Sequence, residues 1–325
     1  MISPFKDIHI LVIGDAMIDT YLEGKVHRQS PEAPVPIVDI NTEYNHLGGA
    51  ANVALNLKAL GAQVSLITAI GDDALGQIFK RDIDGEGISS QYTFMIPDRC
   101  TTQKTRIYND KEYVLRFDKE DSSDIPSKSE MEILNAIQEV LAKGSIDLVL
   151  FQDYNKGLLT PKIIETTIAL CNQKGVLTAV DPKKKHFFLY RAVTLFKPNL
   201  KEIKEALQRE INPVSIDELE SATIELQKSI CAKNIFITLS EHGVYGYNGH
   251  SYAEPAYARN VVDVSGAGDT VISVLALGLA KKWDDKTILS LSNLAGGMAC
   301  ESKGINVISW SELLEEARKK GIAIP

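Results

Sequence analysis

The segment Asp263-Val264-Ser265-Gly266-Ala267-Gly268-Asp269 runs directly into the apolar stretch Val271-Ile272-Ser273-Val274-Leu275. A helix starting there leaves backbone N–H groups unpaired in its first turn and points its positive dipole end at the loop. Small side chains at Gly266, Ala267 and Gly268 let that backbone approach an anion, so the turn suits phosphoryl oxygens. Asp269, at the lip of such a pocket, is placed to accept the proton of an attacking hydroxyl. Phosphoryl transfer depends mostly on positioning and charge stabilisation, so an ordinary carboxylate suffices as base. The plain alternative is a glycine turn whose aspartate only complements the helix dipole. Two aspartates bracketing Gly-Ala-Gly favour the chemical reading.

The elements that must hold this turn follow from apolar patterning. Continuous Val-, Ile- and Leu-rich runs at 8–14, 64–70, 146–152, 176–181, 193–197 and 235–239 read as strands buried on both faces of a parallel sheet. Helices are expected at 50–60, 72–84, 128–143, 160–174, 215–231, 268–282, 285–302 and 309–320, with Thr160 as N-cap before Pro161. The alternation predicts an α/β fold, a doubly wound, mostly parallel sheet with helices on both faces. Two regions break the rhythm. Residues 20–45 contain Ser30-Pro31-Glu32-Ala33-Pro34-Val35-Pro36, which excludes a helix and allows an edge ribbon. Residues 101–118 alternate around Asn109-Asp110 as a hairpin does. Both are expected to form a small β flap, or lid; two surface loops are the alternative.

Bulk properties narrow the class. The chain has 325 residues, 44% hydrophobic and 24% charged, with a formal net charge of -8. That balance argues against a nucleic-acid partner. Cys100, Cys171, Cys231 and Cys300 are scattered, which suits a reducing compartment rather than a zinc or redox motif. With no signal-peptide pattern and no apolar run long enough for a bilayer, a cytoplasmic protein without membrane partners is expected. There is no Walker loop and no G-x-G-x-x-G after the first strand, which points away from P-loop kinases and Rossmann dehydrogenases.

Asp263 to Asp269 resembles the D-T-x-G-A-G-D signature of the ribokinase-like (PfkB) carbohydrate kinases, with Val264 in place of the usual Thr. Gly48-Gly49-Ala50-Ala51-Asn52 resembles the family's second signature, a glycine pair before an Asn-bearing helix. Asn199-Leu200-Lys201-Glu202 resembles its N-x-x-E motif, and equally reads as a helix N-cap with Glu at N3. Thr238 to Gly243 resembles its nucleotide loop, with Ser240 replacing the first Gly. The resemblance runs from about residue 8 to 308. It implies ATP and Mg²⁺ as cofactors, and in parts of the family a monovalent cation. It implies Asp269 as base, with Gly266, Ala267 and Gly268 as the anion pocket. Asn199, Glu202, Ser240, Gly243, Asp263 and Asn293 would lie on the nucleotide side, Glu202 acting indirectly on Mg²⁺ and Asn293 beside adenine. Gly48, Gly49 and Asn52 would hold sugar hydroxyls.

Within the family the chain looks most like D-glycero-D-manno-heptose 7-phosphate kinases, through Gly14-Asp15-Ala16-Met17-Ile18-Asp19, the Ser30–Val35 stretch, Asp153-Tyr154-Asn155-Lys156-Gly157 and Asp181-Pro182-Lys183. That resemblance implies phosphorylation at O1 to the 1,7-bisphosphate, a precursor of nucleotide-activated heptose, and a homodimer through the lid. A sugar phosphate needs local positive charge, offered by Lys104, Arg106, Lys156 and the run Lys183-Lys184-Lys185. Asp15, Asp19 and Asp153 are further substrate candidates. Bifunctional relatives carry a nucleotidyltransferase domain after the kinase, so a stand-alone, single kinase domain over 1–325 is expected. Two alternatives stand beside this: a kinase for another sugar, such as fructose or fructose phosphate, and a catalytically silent sugar- or nucleotide-binding protein.

Overall fold

The computed structural model describes residues 3–110, 112–257 and 259–325. Among these residues, the parallel centre of the main sheet is built from β1 (His9–Gly14), β4 (Gln63–Gly71), β8 (Leu148–Gln152), β9 (Leu177–Asp181), β10 (Leu195–Phe196) and β11 (Asn234–Thr238). Every expected strand is present, although β10 keeps only two residues of the expected 193–197. Three further strands extend the edges. β5 (Thr93–Ile96) pairs parallel with β4, and β12 (Val244–Tyr247) and β13 (Ser251–Glu254) add an antiparallel margin beyond β11. The spatial order is β13-β12-β11-β10-β9-β8-β1-β4-β5.

Burial on both faces explains the unbroken apolar runs. In β1, Ile10 and Val12 enter one core, with α1 (Ala50–Ala59), α2 (Ala74–Gly85), α7 (Ala267–Ala280), α8 (Asp285–Ala299) and α9 (Trp310–Lys319). Leu11 and Ile13 enter the opposite core, with α3 (Ser127–Ala142), α4 (Pro161–Lys174) and α6 (Ile216–Ile230). The period-2 alternation of a strand thus feeds two helical layers. The eight expected helices form, each within a few residues of its expected bounds. α5 (Leu200–Leu207) lies outside that set, though Asn199 caps it and Glu202 completes the box, as the N-x-x-E spacing predicts.

The lid is a second sheet, ordered β3-β2-β6-β7: β2 (Ala16–Gln29), β3 (Pro36–Gly49), β6 (Gln103–Asn109) and β7 (Glu112–Lys119). It reaches further than 20–45, because β2 and β3 pair from Ala16↔Gly49 outward to Gln29↔Pro36, with register shifts at Glu23/Gly24 and Val26/Arg28. The proline-rich stretch is the loop between them, and Pro36 begins an edge strand, where its missing N–H costs no ladder bond.

Candidate active site

The Gly266–Gly268 turn forms the start of α7. Gly266 has φ 80°, a left-handed conformation that glycine adopts without strain. A Cβ at Gly268 would meet nothing within 4 Å, so space is open beside the first-turn N–H groups. Asp263 organises the turn from behind: Oδ1 accepts from the Ser265 N–H at 2.9 Å and Oδ2 from the Gly304 N–H at 2.9 Å. Burial opposes its charge, but these bonds prevail and hold the carboxyl below its usual range.

Asp269 departs from expectation. It does not stand open at the lip; it is 5% exposed. Its carboxylate takes three donors: Asn52 Nδ2 to Oδ2 at 2.7 Å, Tyr154 Oη to Oδ1 at 2.7 Å and Gln152 Nε2 to Oδ1 at 3.1 Å. Burial pushes its pKa up to about 6; Tyr154 and Asn52 pull it down, Asp181 raises it and Lys197 lowers it. The carboxylate is sunk because α7 packs against α1, β8 and β9, with Asp269 itself bonded to Asn52 of α1 and Gln152 of β8.

A chain of charges continues from it along the carboxyl ends of the parallel strands. Asp181 ends β9 and pairs with buried Lys197 at 3.0 Å and with Lys183 at 3.8 Å. Lys183 also pairs with Glu202, whose other oxygen accepts the Asn199 N–H at 2.8 Å. Burial works against the Lys183 charge, but Asp181 and Glu202 outweigh it and raise its pKa. Each oxygen of Glu202 therefore already has a partner. Among the described residues no three His, Cys, Asp or Glu side chains gather as a metal cage.

The expected lysine cluster is dispersed. Lys183 turns to Asp181 and Glu202, Lys184 to Glu205 at 3.6 Å and Lys185 to Asp124 at 2.6 Å. Lys156 pairs with Glu120 at 2.8 Å. Lys183 and Lys184 both meet acids of α5 and Lys185 meets Asp124 ahead of α3, so each charge of the run is engaged by an acid. Lys104 instead lies with Nζ 5.1 Å from the Tyr154 ring centroid, and burial depresses its pKa against the pull of Asp19.

The acidic candidates also serve the frame. Asp15 accepts backbone N–H groups of Tyr154 at 2.9 Å, Lys156 at 3.0 Å and Leu158 at 3.1 Å. Its carboxylate thereby fixes the 154–158 loop. Asp19 holds Arg106 at 2.5 Å. Asp153 accepts from Tyr190 Oη at 2.7 Å and from the Asn155 N–H at 2.7 Å, and burial with nearby Asp15 pushes its pKa up to about 6. Gly48 and Gly49 are buried where a Cβ would strike Asp19 Oδ2 at 2.0 Å and the Asp15 backbone carbonyl at 2.3 Å, so they admit close approach of the Asp19 carboxylate and the Asp15 main chain.

Among the residues expected on the nucleotide side, Ser240 adopts φ 55°, a left-handed backbone that glycine takes up readily. Gly243 has φ 94° and packs against the Glu254 carbonyl. Asn293 donates Nδ2 to the Pro255 carbonyl at 2.8 Å, tying α8 to the strand margin. Between lid and turn lies a cavity of about 970 Å³, lined by Arg106, Tyr108, Arg116, Asp263, Ser265 and Lys303 among others. Lys303 crosses its rim: it pairs with Glu23 at 2.6 Å and sits 3.7 Å from the Tyr108 ring centroid.

Gln152, Tyr154, Asp181 and Lys197 were not among the candidates. The signal for two of them was position, since Gln152 and Asp181 end parallel strands, where ligands gather in such sheets. No helix among the described residues is long and apolar enough to cross a membrane.

A family model described as pfkB family carbohydrate kinase matches residues 7–312. The bifunctional protein HldE of Geotalea uraniireducens is 37% identical over 313 residues, covering 96% of this chain and 63% of that protein. Its counterpart in Nitratiruptor sp. is 38% identical over 310 residues, covering 95% and 65%. The chain thus spans less than two thirds of the length of these relatives. Among solved structures, phosphofructokinase-2 from Escherichia coli in complex with potassium matches with TM-score 0.80 at 18% identity, over 97% of this chain and 99% of that one. Arabidopsis thaliana ribokinase complexed with ribose and ATP matches with TM-score 0.72 at 16% identity, over 97% and 98%. The architecture is therefore ribokinase-like, a doubly wound α/β sheet carrying a β lid. With the family model over nearly its whole length and relatives at this identity, the chain belongs to the pfkB family of carbohydrate kinases. Its reaction class is ATP-dependent phosphorylation of a sugar.

Proposed function

We propose that the protein transfers the γ-phosphoryl group of ATP to O1 of D-glycero-D-manno-heptose 7-phosphate, giving the 1,7-bisphosphate. The observation that carries this reading is Asp269, held by three donors in the first turn of α7, next in sequence to Gly268, where a Cβ would meet nothing within 4 Å. The acceptor hydroxyl approaches from that open side. As its oxygen bonds to the γ-phosphorus, the proton passes to the Asp269 carboxylate and the bond to the ADP oxygen breaks. Charge on the transferring group is met by the N–H groups of Gly266 and Gly268, Ala267 donating its own to the Val264 carbonyl at 3.3 Å. Mg²⁺ travelling with ATP would screen the phosphate charge, with Glu202 acting on it indirectly as the N-x-x-E resemblance implies.

The heptose choice rests on the motifs at 14–19, 30–35, 153–157 and 181–183 and on the HldE relatives. Lys104 and Arg106 on the lid, with Arg116 and Lys303 at the cavity, supply positive charge for a sugar phosphate. A single kinase domain working in the cytoplasm fits this reading, as does a homodimer through the lid. β7 is an edge strand, and its Leu115 and Phe117 are large, apolar and exposed. Phosphorus NMR of the products from heptose 7-phosphate and ATP tests the assignment. A new anomeric phosphate resonance is expected; unchanged heptose 7-phosphate, with turnover of fructose or fructose phosphate, would replace the substrate.

A further inference from the structure

We infer that Tyr154 is a positioning residue whose hydroxyl aims the Asp269 carboxylate and keeps it ionised, an assignment that rests on the base role proposed above. Of the three donors to Asp269, Asn52 belongs to α1 and Gln152 to the end of β8, whereas Tyr154 stands on a loop and is itself part-exposed. A loop donor holds a fixed geometry only if its backbone is fixed, and this one is. Asp15 accepts the N–H groups of residues 154, 156 and 158. Arg99 donates to the carbonyls of Asp121 at 2.9 Å, Ser123 at 3.0 Å and Lys156. The Tyr154 ring is flanked by Lys104 and Lys183, with Nζ 5.1 and 5.7 Å from its centroid. A buried acid and an arginine thus immobilise one hydroxyl 2.7 Å from the base.

The hydroxyl can only donate there, because Asp269 ionised is purely an acceptor. Burial, then Asp269 itself, raises the tyrosine pKa well above its ordinary value, so the phenol stays neutral. Donation stabilises the ionised carboxylate against the cost of burial. The other groups facing Asp269 are Asn52 on α1, Gln152 on β8, Asp181 on β9 and Lys197 after β10. Lys183 adds positive charge over the tyrosine ring. If Tyr154 only filled space, phenylalanine would serve equally.

The test is a titration of protein labelled with ¹³C at aspartate carboxyls, Asp269 being assigned from the resonance missing in Asp269→Asn. In Tyr154→Phe the Asp269 midpoint is expected to rise by about one pH unit. The acid limb of kcat should move with it, and kcat should fall more than KM changes. Site-specific 3-fluorotyrosine at 154, a stronger donor of the same shape, should move the midpoint the opposite way. Midpoints of both variants equal to wild type overturn the inference. Full kinase activity in Asp269→Asn would instead remove the base role, while the titration still decides what Tyr154 does to the carboxylate.

Discussion

Asn52 Nδ2 donates to Asp269 Oδ2 across 2.7 Å, although 217 positions separate the two residues in the chain. The bond joins the helix after the glycine pair to the helix after the Gly-Ala-Gly turn. The same amide nitrogen lies 3.0 Å from where a Cβ on Gly266 would stand. Three short sequence features are thus one object in space, and changes at any of them should register at the carboxylate.

Asp269→Asn removes the proton acceptor while keeping size and shape. We expect kcat to fall by roughly 10² to 10⁴ fold, the usual worth of general base catalysis. Circular dichroism and ATP binding should stay near wild type. Turnover within a few-fold of wild type contradicts the assignment.

The base works ionised, so activity is lost as pH falls through its pKa. Burial places that value at about 6, with Tyr154 and Asn52 opposing. The profile of kcat/KM should therefore bend downward near about pH 6 rather than near the ordinary carboxylate value. A flat profile down to about pH 4.5 would contradict a raised base.

Gly266 and Gly268 should separate structure from function. Gly266→Ala places a Cβ in a left-handed backbone against Asn52, and should cost about 1–2 kcal/mol of stability. Gly268→Ala meets no neighbour and should leave stability equal or raised by up to about 1 kcal/mol. Its methyl group enters the space proposed for phosphoryl oxygens, so KM for ATP should rise. Denaturant melts and ATP kinetics on both variants decide this; unaltered ATP kinetics in Gly268→Ala would move the phosphates elsewhere.

Lys104 is the lid lysine proposed to meet the sugar's phosphate. Lys104→Ala should raise KM for heptose 7-phosphate by about tenfold or more, the worth of one charge-assisted bond, with little change for ATP. An equal loss for a non-phosphorylated sugar would show that the lysine supports the lid and does not read the phosphate.

Asp153 carries a sign that can be checked in stability. Its folded pKa, pushed up to about 6 by burial and Asp15, exceeds its ordinary 3.8. The fold therefore favours the protonated form. The stability this group contributes is complete below about pH 4 and is lost as pH rises through about 6. Asp153→Asn resembles the protonated form, so its melting temperature should gain on wild type between about pH 5 and 7.5. A pH-independent difference would argue for an acid whose ionisation the fold does not penalise.

Much of the fold was legible because burial on two faces writes continuous apolar runs, as in Ile10 to Ile13, and because caps such as Thr160-Pro161 announce helix starts. The margin strands β12 and β13 were not, since four residues with mixed polarity carry too little pattern. At the site, the turn at 266–268 could be read from small residues ahead of a helix. Ion pairing could not: whether Lys183, Lys184 and Lys185 act together depends on which acid each meets, and they meet Glu202, Glu205 and Asp124. The burial of Asp269 was equally hidden, because it is set by β8 and α1, remote in sequence from α7.

Lys303 and Gly304 are adjacent, yet one grips Tyr108 and Glu23 while the other donates its N–H to Asp263. A two-residue strut therefore links the flap at Glu23 and Tyr108 to the loop carrying Asp263. A shift of the flap at Glu23 or Tyr108 thus has a path of two residues to the carboxylate that organises the glycine turn.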